Sequence, residues 1–481
     1  MRRHRFGATM AALVSIGMLV SGCGTTTVVS NQAQPAMDNP WELTGAVSST
    51  GPSGSRPGVP DTDRKAENGD NGKIDKLALN AIADIEEYWQ TEYSKTFRGA
   101  FKPASKVISW SARATEAESV QFCKSSTYKL VNAAYCPLDH TIGWDRAVLL
   151  PLLVDKYKEM SVVMVLAHEY GHAIQSQADL LRGFFTDALV KEQQADCLAG
   201  VFLRHVAEGN SKHFTLNTTD GLNGVLGATV AVRDRDPNDP DAVHGSAFER
   251  VSAVQMGYTD GAKSCEGINE AEIEKRRGGL PVTFDDGEKD AQLPVNKENL
   301  TTLAAQLSKS MPIQNAPKFD YAGVTRKCAS TTTTEPVSYC PGSNTIGTDI
   351  PAMAKRAGEG ASGKEEPLSA VVTGDYNAAA VFVSRYALAV QQDRKLSLTG
   401  AESAGLRTAC LTGVLTTKLS EPNSDPRLSA GDLDEAVSGL LADGIAASDV
   451  NGKVVSSGYQ RLEAFRTGVL SGEQACLTQF K

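Results

Sequence analysis

Val162-Val163-Met164-Val165-Leu166-Ala167-His168-Glu169-Tyr170-Gly171-His172-Ala173-Ile174-Gln175 is an apolar run broken by two histidines and an acid. Its composition predicts a buried helix, on which residues four apart stand one turn above each other on the same face. His168 and His172 can therefore present both imidazoles to one ion. Zinc takes neutral nitrogen or anionic oxygen donors at about 2 Å, and its catalytic sites use three protein ligands and a water. Glu169, beside the first histidine, is placed to take the proton of that water as it attacks a carbonyl. The competing reading is a core helix with two hydrogen-bonded histidines. In a chain with only seven histidines that spacing is an infrequent accident.

The third ligand is expected downstream on another helix. Lys191-Glu192-Gln193-Gln194-Ala195-Asp196-Cys197-Leu198-Ala199-Gly200 offers two acids one turn apart. Glu192 has the longer reach and is the expected ligand. Asp196, on the same face, suits the role of accepting the free N–H of a liganding histidine and so fixing its tautomer. A solvated acidic face is the other reading, but Ala195, Cys197, Leu198, Ala199 and Val201 around the acids read as buried.

The blocks His168-Glu169-Tyr170-Gly171-His172 and Glu192 to Gly200, then His244-Gly245-Ser246 with Arg250, resemble in order the neutral zinc metallopeptidase family of bacteria. More distantly the first two blocks look like the gluzincin proteases, in which the glutamate of an ExxxD helix is the third zinc ligand. The resemblance covers roughly residues 74–268. It implies a mainly helical, zincin-like α+β domain with a small sheet, a Zn²⁺ cofactor, and hydrolysis of peptide bonds in proteins or peptides. It carries no information about the substrate.

At the start of the chain Arg2, Arg3 and Arg5 precede the apolar run Ala8 to Leu19, too short to span a bilayer. Residues 1–22 therefore read as a signal peptide. Val20-Ser21-Gly22-Cys23 resembles the end of a bacterial lipoprotein signal. That implies cleavage before Cys23, diacylglycerol on its sulfur, and an extracytoplasmic protein anchored to the cell membrane by lipid. Residues 23–72 are rich in Thr, Ser, Asn, Pro, Gly and Asp without apolar periodicity, so they are expected to form a flexible tether. A net charge of −9 and a pI near 5.4 argue against nucleic acid as a partner and against a polybasic membrane patch.

Folded sequence is expected from Lys73, where Ile74, Leu77, Leu79, Ile82, Ile85, Tyr88 and Trp89 recur at helical spacing. Cys123 to Cys136 encloses a polar stretch that runs on to Thr141-Ile142-Gly143-Trp144-Asp145, a short hairpin ending in an edge strand. In the zincins that this helix resembles, such a strand borders the cleft and pairs with extended substrate. His205, His213 and the apolar run Leu222 to Val232 read as core. Asp234 to Asp241 is an acidic, proline-broken loop that delivers His244. Ser246 and Glu249 have capping-box spacing, so a helix carrying Arg250, Val254 and Met256 is expected to begin there. His244 is a candidate to stabilise a developing oxyanion, with a structural histidine as the alternative.

The chain also repeats itself. Cys328, Tyr339-Cys340-Pro341 and Thr345-Ile346-Gly347 with Asp349 reproduce Cys123, Tyr135-Cys136-Pro137 and Thr141-Ile142-Gly143 with Asp145. With Tyr386 set on Tyr170 the match runs on through Cys410, Arg461, Gly468 and Cys476, which fall on Cys197, Arg250, Gly257 and Cys265. Two tandem copies are expected, residues 73–268 and 299–481, with a polar linker over 269–298. In the second copy Ser384, Arg385, Leu388, Gly405 and Ala409 stand at the positions of His168, Glu169, His172, Glu192 and Asp196. All three ligands and the base are gone, so this copy reads as a pseudopeptidase.

Nine cysteines less the lipid-bearing Cys23 leave an even number in an exported chain, which suits disulfides. Each half carries four in the same order, so the expected pairs are Cys123 with Cys136, Cys197 with Cys265, Cys328 with Cys340 and Cys410 with Cys476. The expected protein is a lipid-anchored zinc metallopeptidase acting in the cell envelope. The alternative is a non-catalytic envelope scaffold that binds proteins, with structural zinc. A zinc site with three protein ligands and a position open to water favours the enzyme.

Overall fold

Of the described residues 53% are helical and the strands form small sheets, a mixed α and β architecture of the mainly helical α+β kind. The structure is a computed structural model that describes residues 50–181, 187–234, 243–279, 292–329, 331–359, 366, 368–429 and 431–481. The expected signal peptide, Cys23, the tether up to residue 49 and most of the acidic loop lie outside the described residues, as do residues 280–291 of the expected linker.

The strand β1 (Gly54–Ser55) and the long helix α1 (Lys73–Thr96) open the described chain. Helix α1 buries Leu77, Ile82, Ile85, Trp89 and Tyr93, the face its spacing predicts. Then come β2 (Lys106–Trp110), the short pair β3 (Gln121–Phe122) and β4 (Ser125–Ser126), β5 (Ala133–Cys136) and β6 (Thr141–Asp145). Strand β6 is central in a three-stranded sheet, with β2 parallel on one side and β5 antiparallel on the other. This corrects the expectation that Thr141–Asp145 is the edge. In β2, Val107, Ile108, Ser109 and Trp110 are all buried, so the strand shows none of the alternation by which it would be recognised.

The helices that follow are α2 (Leu149–Tyr157), α3 (Glu159–Ala178) and α4 (Ala188–Ala207). After the strand β7 (Phe214–Thr215) come α5 (Asp220–Ala231), α6 (Ala247–Asp260), α7 (Ala262–Glu266) and α8 (Glu270–Arg277). Asp187 caps α4 by accepting from Leu189 N at 2.7 Å. Ser246 caps α6 in the reciprocal box with Glu249 that the spacing predicts.

Residues 50–72 do not behave as the tether their composition suggests. Strand β1 pairs antiparallel with β7, and Arg56 donates to the carbonyls of Ser211 and Phe214 at 3.0 and 2.8 Å. Glu67 bridges to Ile108 of β2. Backbone hydrogen bonds and one arginine hold a segment with little apolar surface, which composition does not register. The expected linker also begins as structure. Asn269 caps α8, Ile273 is buried, and Arg276 donates to Gln193 Oε1 at 3.0 Å and to Glu249 O at 3.2 Å. Glu272 pairs with Arg276 inside that helix, so its polarity conceals a packed face.

The second half runs α9 (Lys297–Ser310), β8 (Lys318–Asp320), β9 (Val337–Cys340), β10 (Thr345–Thr348) and α10 (Ile350–Arg356). It ends with α11 (Asp375–Asp393), α12 (Leu406–Leu419), α13 (Asp432–Ala442) and α14 (Gly458–Gln479). Here β10 is central, β8 parallel and β9 antiparallel. The four disulfides are those expected from cysteine order, with Cα separations of 5.4, 5.6, 5.6 and 5.5 Å along the chain, inside the range a disulfide spans. Helices α13 and α14 pack on α5 and α6 of the first half. Gln255 Nε2 donates to Tyr459 O at 3.0 Å and Tyr157 Oη to Leu368 O at 2.7 Å across that junction. Among the described residues no helix is long and apolar enough to cross a membrane.

Candidate metal centre

Helices α3 and α4 touch at Gly171, where a Cβ would stand 2.8 Å from Ala195 O and 2.9 Å from Ala195 Cα. Only glycine allows this approach, and it carries Glu192 and Asp196 of α4 up to the histidines of α3. On the far side α4 lies equally close to α6, since a Cβ at Gly200 or Gly257 would overlap the carbonyls of Val254 and Cys197. Three helices thus pass within reach of one point.

His168 Nε2 lies 3.1 Å from Glu192 Oε2, and His172 Nε2 lies 3.5 Å from Glu192 Oε1. Donor atoms of the three residues fall within 4.8 Å of one another. Ligands around a tetrahedral zinc with bonds of about 2.0–2.1 Å stand roughly 3.3 Å apart. The donor set and its spacing therefore fit zinc without moving a helix. The side chains of His168, His172 and Glu192 are 9%, 21% and 16% exposed, so solvent reaches the group.

The other ring nitrogens are tied. His168 Nδ1 is 2.8 Å from Asp196 Oδ1, and His172 Nδ1 is 2.8 Å from Gln175 Oε1. Each acceptor places a proton on Nδ1 and turns Nε2 toward Glu192. Asp196 is itself held by Arg250, Nε to Oδ2 and Nη2 to Oδ1 at 2.8 Å each, while Arg250 Nη1 donates to Val232 O at 2.8 Å. Gln175 Nε2 in turn donates to Lys191 O at 2.6 Å.

The electrostatics follow from this crowding. Burial opposes charge on His168, but Asp196 and then Glu192 outweigh it and hold a proton on the ring up to about 10. Burial and the neighbouring His168 cation push His172 down to about 4. Burial raises Glu192, yet its hydrogen bond and charge interaction with His168 bring it to about 2. Asp196 is held well below the usual carboxylate range against its burial, first by Arg250 and then by His168. One proton thus sits between acids and imidazoles, in the position a dication would take.

Glu169 is pushed up to about 7, chiefly by burial. Its Oε2 accepts from Tyr135 N at 2.9 Å, which ties the acid to the edge strand β5. His244 is 45% exposed and lies near enough to Glu192 to help hold that carboxyl down. Asp234 steadies it, accepting from His244 N at 2.7 Å and lying 3.2 Å from His244 Nδ1.

Sequence reasoning gave no role to Arg250 or Gln175. A cation flanked by Phe248, Val251 and Val254 one turn into a capped helix was the available signal for Arg250. Gln175 lies three residues after His172, a spacing that on a helix allows contact.

In the second half Ser384, Arg385 and Leu388 are fully buried. Ser384 Oγ donates back to Val381 O at 2.6 Å. Arg385 donates to Val337 O, Ser448 Oγ and Ile445 O at 3.1, 3.0 and 3.4 Å, and burial pushes its pKa down to about 10. In a second acidic group, Asp375, Asp432 and Glu435, most oxygens are engaged, while Asp375 Oδ1 is buried without a hydrogen-bond partner. Glu435 Oε2 accepts from Tyr376 N and Asn377 N at 2.7 and 3.2 Å in the first turn of α11, and Asp432 Oδ2 accepts from Ser429 N at 2.8 Å. Burial raises all three, helped by the charge of Glu359 at Asp375 and by the charge of Asp375 at Asp432 and Glu435, which shifts them toward the protonated form.

Comparison with family models, curated proteins and solved structures returns no match.

Proposed function

We propose that this chain is a zinc-dependent endopeptidase of the neutral metallopeptidase kind, held outside the cytoplasmic membrane by lipid on Cys23 and cleaving proteins or peptides there. One observation carries the reading: His168, His172 and Glu192 converge with both Nδ1 atoms already tied. Among the described residues the group has these three members and no fourth, the arrangement of catalytic rather than structural zinc sites. Zinc bound there supplies a polarised scissile carbonyl and an acidified water.

The chain's own residues do the rest. Glu169 accepts the proton of the attacking water and returns it to the leaving amine, with Tyr135 N fixing one of its oxygens. Strand β5 offers its outer edge to an extended peptide beside Glu169. His244, exposed and steadied by Asp234, is available to the developing oxyanion.

The second half is read as a degenerate copy of the first. Supporting this are the shared strand arrangement, parallel then antiparallel about the central strand, and the matching disulfides. The helix contact at Gly200 and Gly257 also recurs at Gly413 and Gly468, against Phe465 and Cys410. At the position of Glu169 it carries Arg385, fully buried and hydrogen-bonded to Val337 O and Ser448 Oγ.

The test uses signal-free protein, with metal content by mass spectrometry and cleavage of a panel of denatured proteins. One zinc per chain and cleavage abolished by a chelator are expected. Protein that takes up zinc yet cleaves nothing points to the scaffold, and protein that takes up none removes the metal reading.

A further inference from the structure

Three consecutive residues at the end of α5 connect the candidate centre to the second half. Val232 O accepts from Arg250, the residue that holds Asp196 and through it His168. The Asp234 carboxylate accepts from His244 N and Gly245 N at 2.7 and 2.6 Å. Arg233, between them, reaches across the junction, its Nε 3.5 Å from Asp434 Oδ2 and its Nη1 3.3 Å from Ser369 O.

Asp434 lies on α13 and is 7% exposed. Its Oδ1 accepts from Phe248 N at 3.3 Å, in the first turn of α6. The leading amides of a helix have no partner within it, and negative charge is favourable beside them. Ser246 Oγ satisfies the amide of Glu249, and Asp434 supplies an acceptor for Phe248 from the other half of the molecule. Arg250 follows two residues later on that helix.

We propose that Asp434 is a positioning residue for the metal centre: through Arg233 and the first turn of α6 it fixes Arg250, and with it Asp196 and His168. The second half then braces the site of the first. This rests on reading that site as a zinc centre. Residues that orient a metal's ligands change affinity 10–100-fold when removed. Asp434 acts further out still, through Arg233 or the first turn of α6, then Arg250 and Asp196, so a loss at the lower end of that range, roughly tenfold, is expected.

The test compares full-length wild type, Asp434→Asn, Asp434→Ala and Tyr459→Phe by competition for zinc with a chromogenic chelator, and by hydrogen exchange. Tyr459→Phe removes the contacts of its hydroxyl with Thr259 and with Gln255 O, at the same junction but away from residues 232–234. It serves as a control for a merely loosened interface and is expected to change zinc affinity less than twofold. Both Asp434 variants are expected to weaken zinc binding about tenfold and to speed exchange over residues 243–250. Folded Asp434→Asn with wild-type affinity and unchanged exchange there overturns the proposal, as does an equal loss of affinity in Tyr459→Phe. Asp434→Asn, close in size to the native residue, carries the test if the alanine variant does not fold. If wild type binds no zinc the metal reading fails, while the exchange measurement still decides whether Asp434 braces α6.

Discussion

Arg250 grips Asp196 from the side, with two nitrogens on two oxygens at 2.8 Å each and side chains 3% and 0% exposed. A carboxylate held this way accepts the His168 Nδ1 proton without being free to turn. Asp196→Asn is expected to lower zinc affinity by about 10–100-fold, because an amide accepts more weakly and aims a donor at Arg250. Arg250→Met leaves a buried carboxylate short of its counter-charge and is expected to cost about 3–5 kcal/mol of stability. Chelator competition reads the first effect and urea unfolding the second.

Glu169→Gln keeps the size of the side chain and an acceptor for Tyr135 N but cannot take a proton. Zinc content is expected to stay at wild-type level while kcat falls by about 10²–10⁴-fold. Undiminished peptide hydrolysis in protein free of contaminating protease would falsify the role given to this acid.

Zinc uptake is expected to release protons. Metal-free His168 keeps a proton up to about 10, while His172 below about 4 and Glu192 below about 2 define the other limits. At pH 8 the entering ion displaces the proton on His168, so roughly one proton leaves per zinc and affinity rises with pH through neutrality. Calorimetry in buffers of different ionisation enthalpy measures the number. No release at all would mean that His168 is not displaced by metal.

Paired alanine substitution of Cys197 and Cys265 opens a loop of 68 residues and is expected to cost about 4 kcal/mol by chain entropy. The Cys123 and Cys136 pair closes only 13 residues, and about 3 kcal/mol is expected. Denaturant titration of the two double variants tests the order. Non-reducing peptide maps are expected to contain no link between the halves.

The acids Asp375, Asp432 and Glu435 give the fold a pH slope. Burial, then the charge of Asp375, pushes Glu435 up to about 7, so between the unfolded value near 4 and that point the native state binds more protons than the unfolded chain. Stability is therefore expected to be fully present below about pH 4 from this group and to decline as pH rises toward 7. Glu435→Gln is expected to flatten the slope of melting temperature between about pH 4 and 7. A slope equal to wild type in that variant would assign the effect elsewhere.

What could be read in advance had a local pattern. His168 and His172, and then Glu192 and Asp196, announce themselves by single-turn spacing, and Ser246 with Glu249 announces a helix start. The disulfide pairs follow from cysteine order. Strand β2 could not be read because both its faces are buried, nor residues 50–72, because backbone groups rather than apolar side chains hold them. Gln175 and Arg250 complete the centre through contacts whose partners lie on other turns and other helices. Asp434 meets Phe248 across 186 residues, and no window of sequence contains both.

The separations have a consequence for biosynthesis. His168 waits 28 residues for Asp196, which waits 54 for Arg250. Contacts this distant form late, after loop closure has cost its entropy. A nascent or truncated chain would therefore carry the zinc-ligand motif without an assembled centre. On the proposed function, proteolytic power would arrive only after the chain has been made past Arg250 and has folded around it, a safeguard for the cell that makes it.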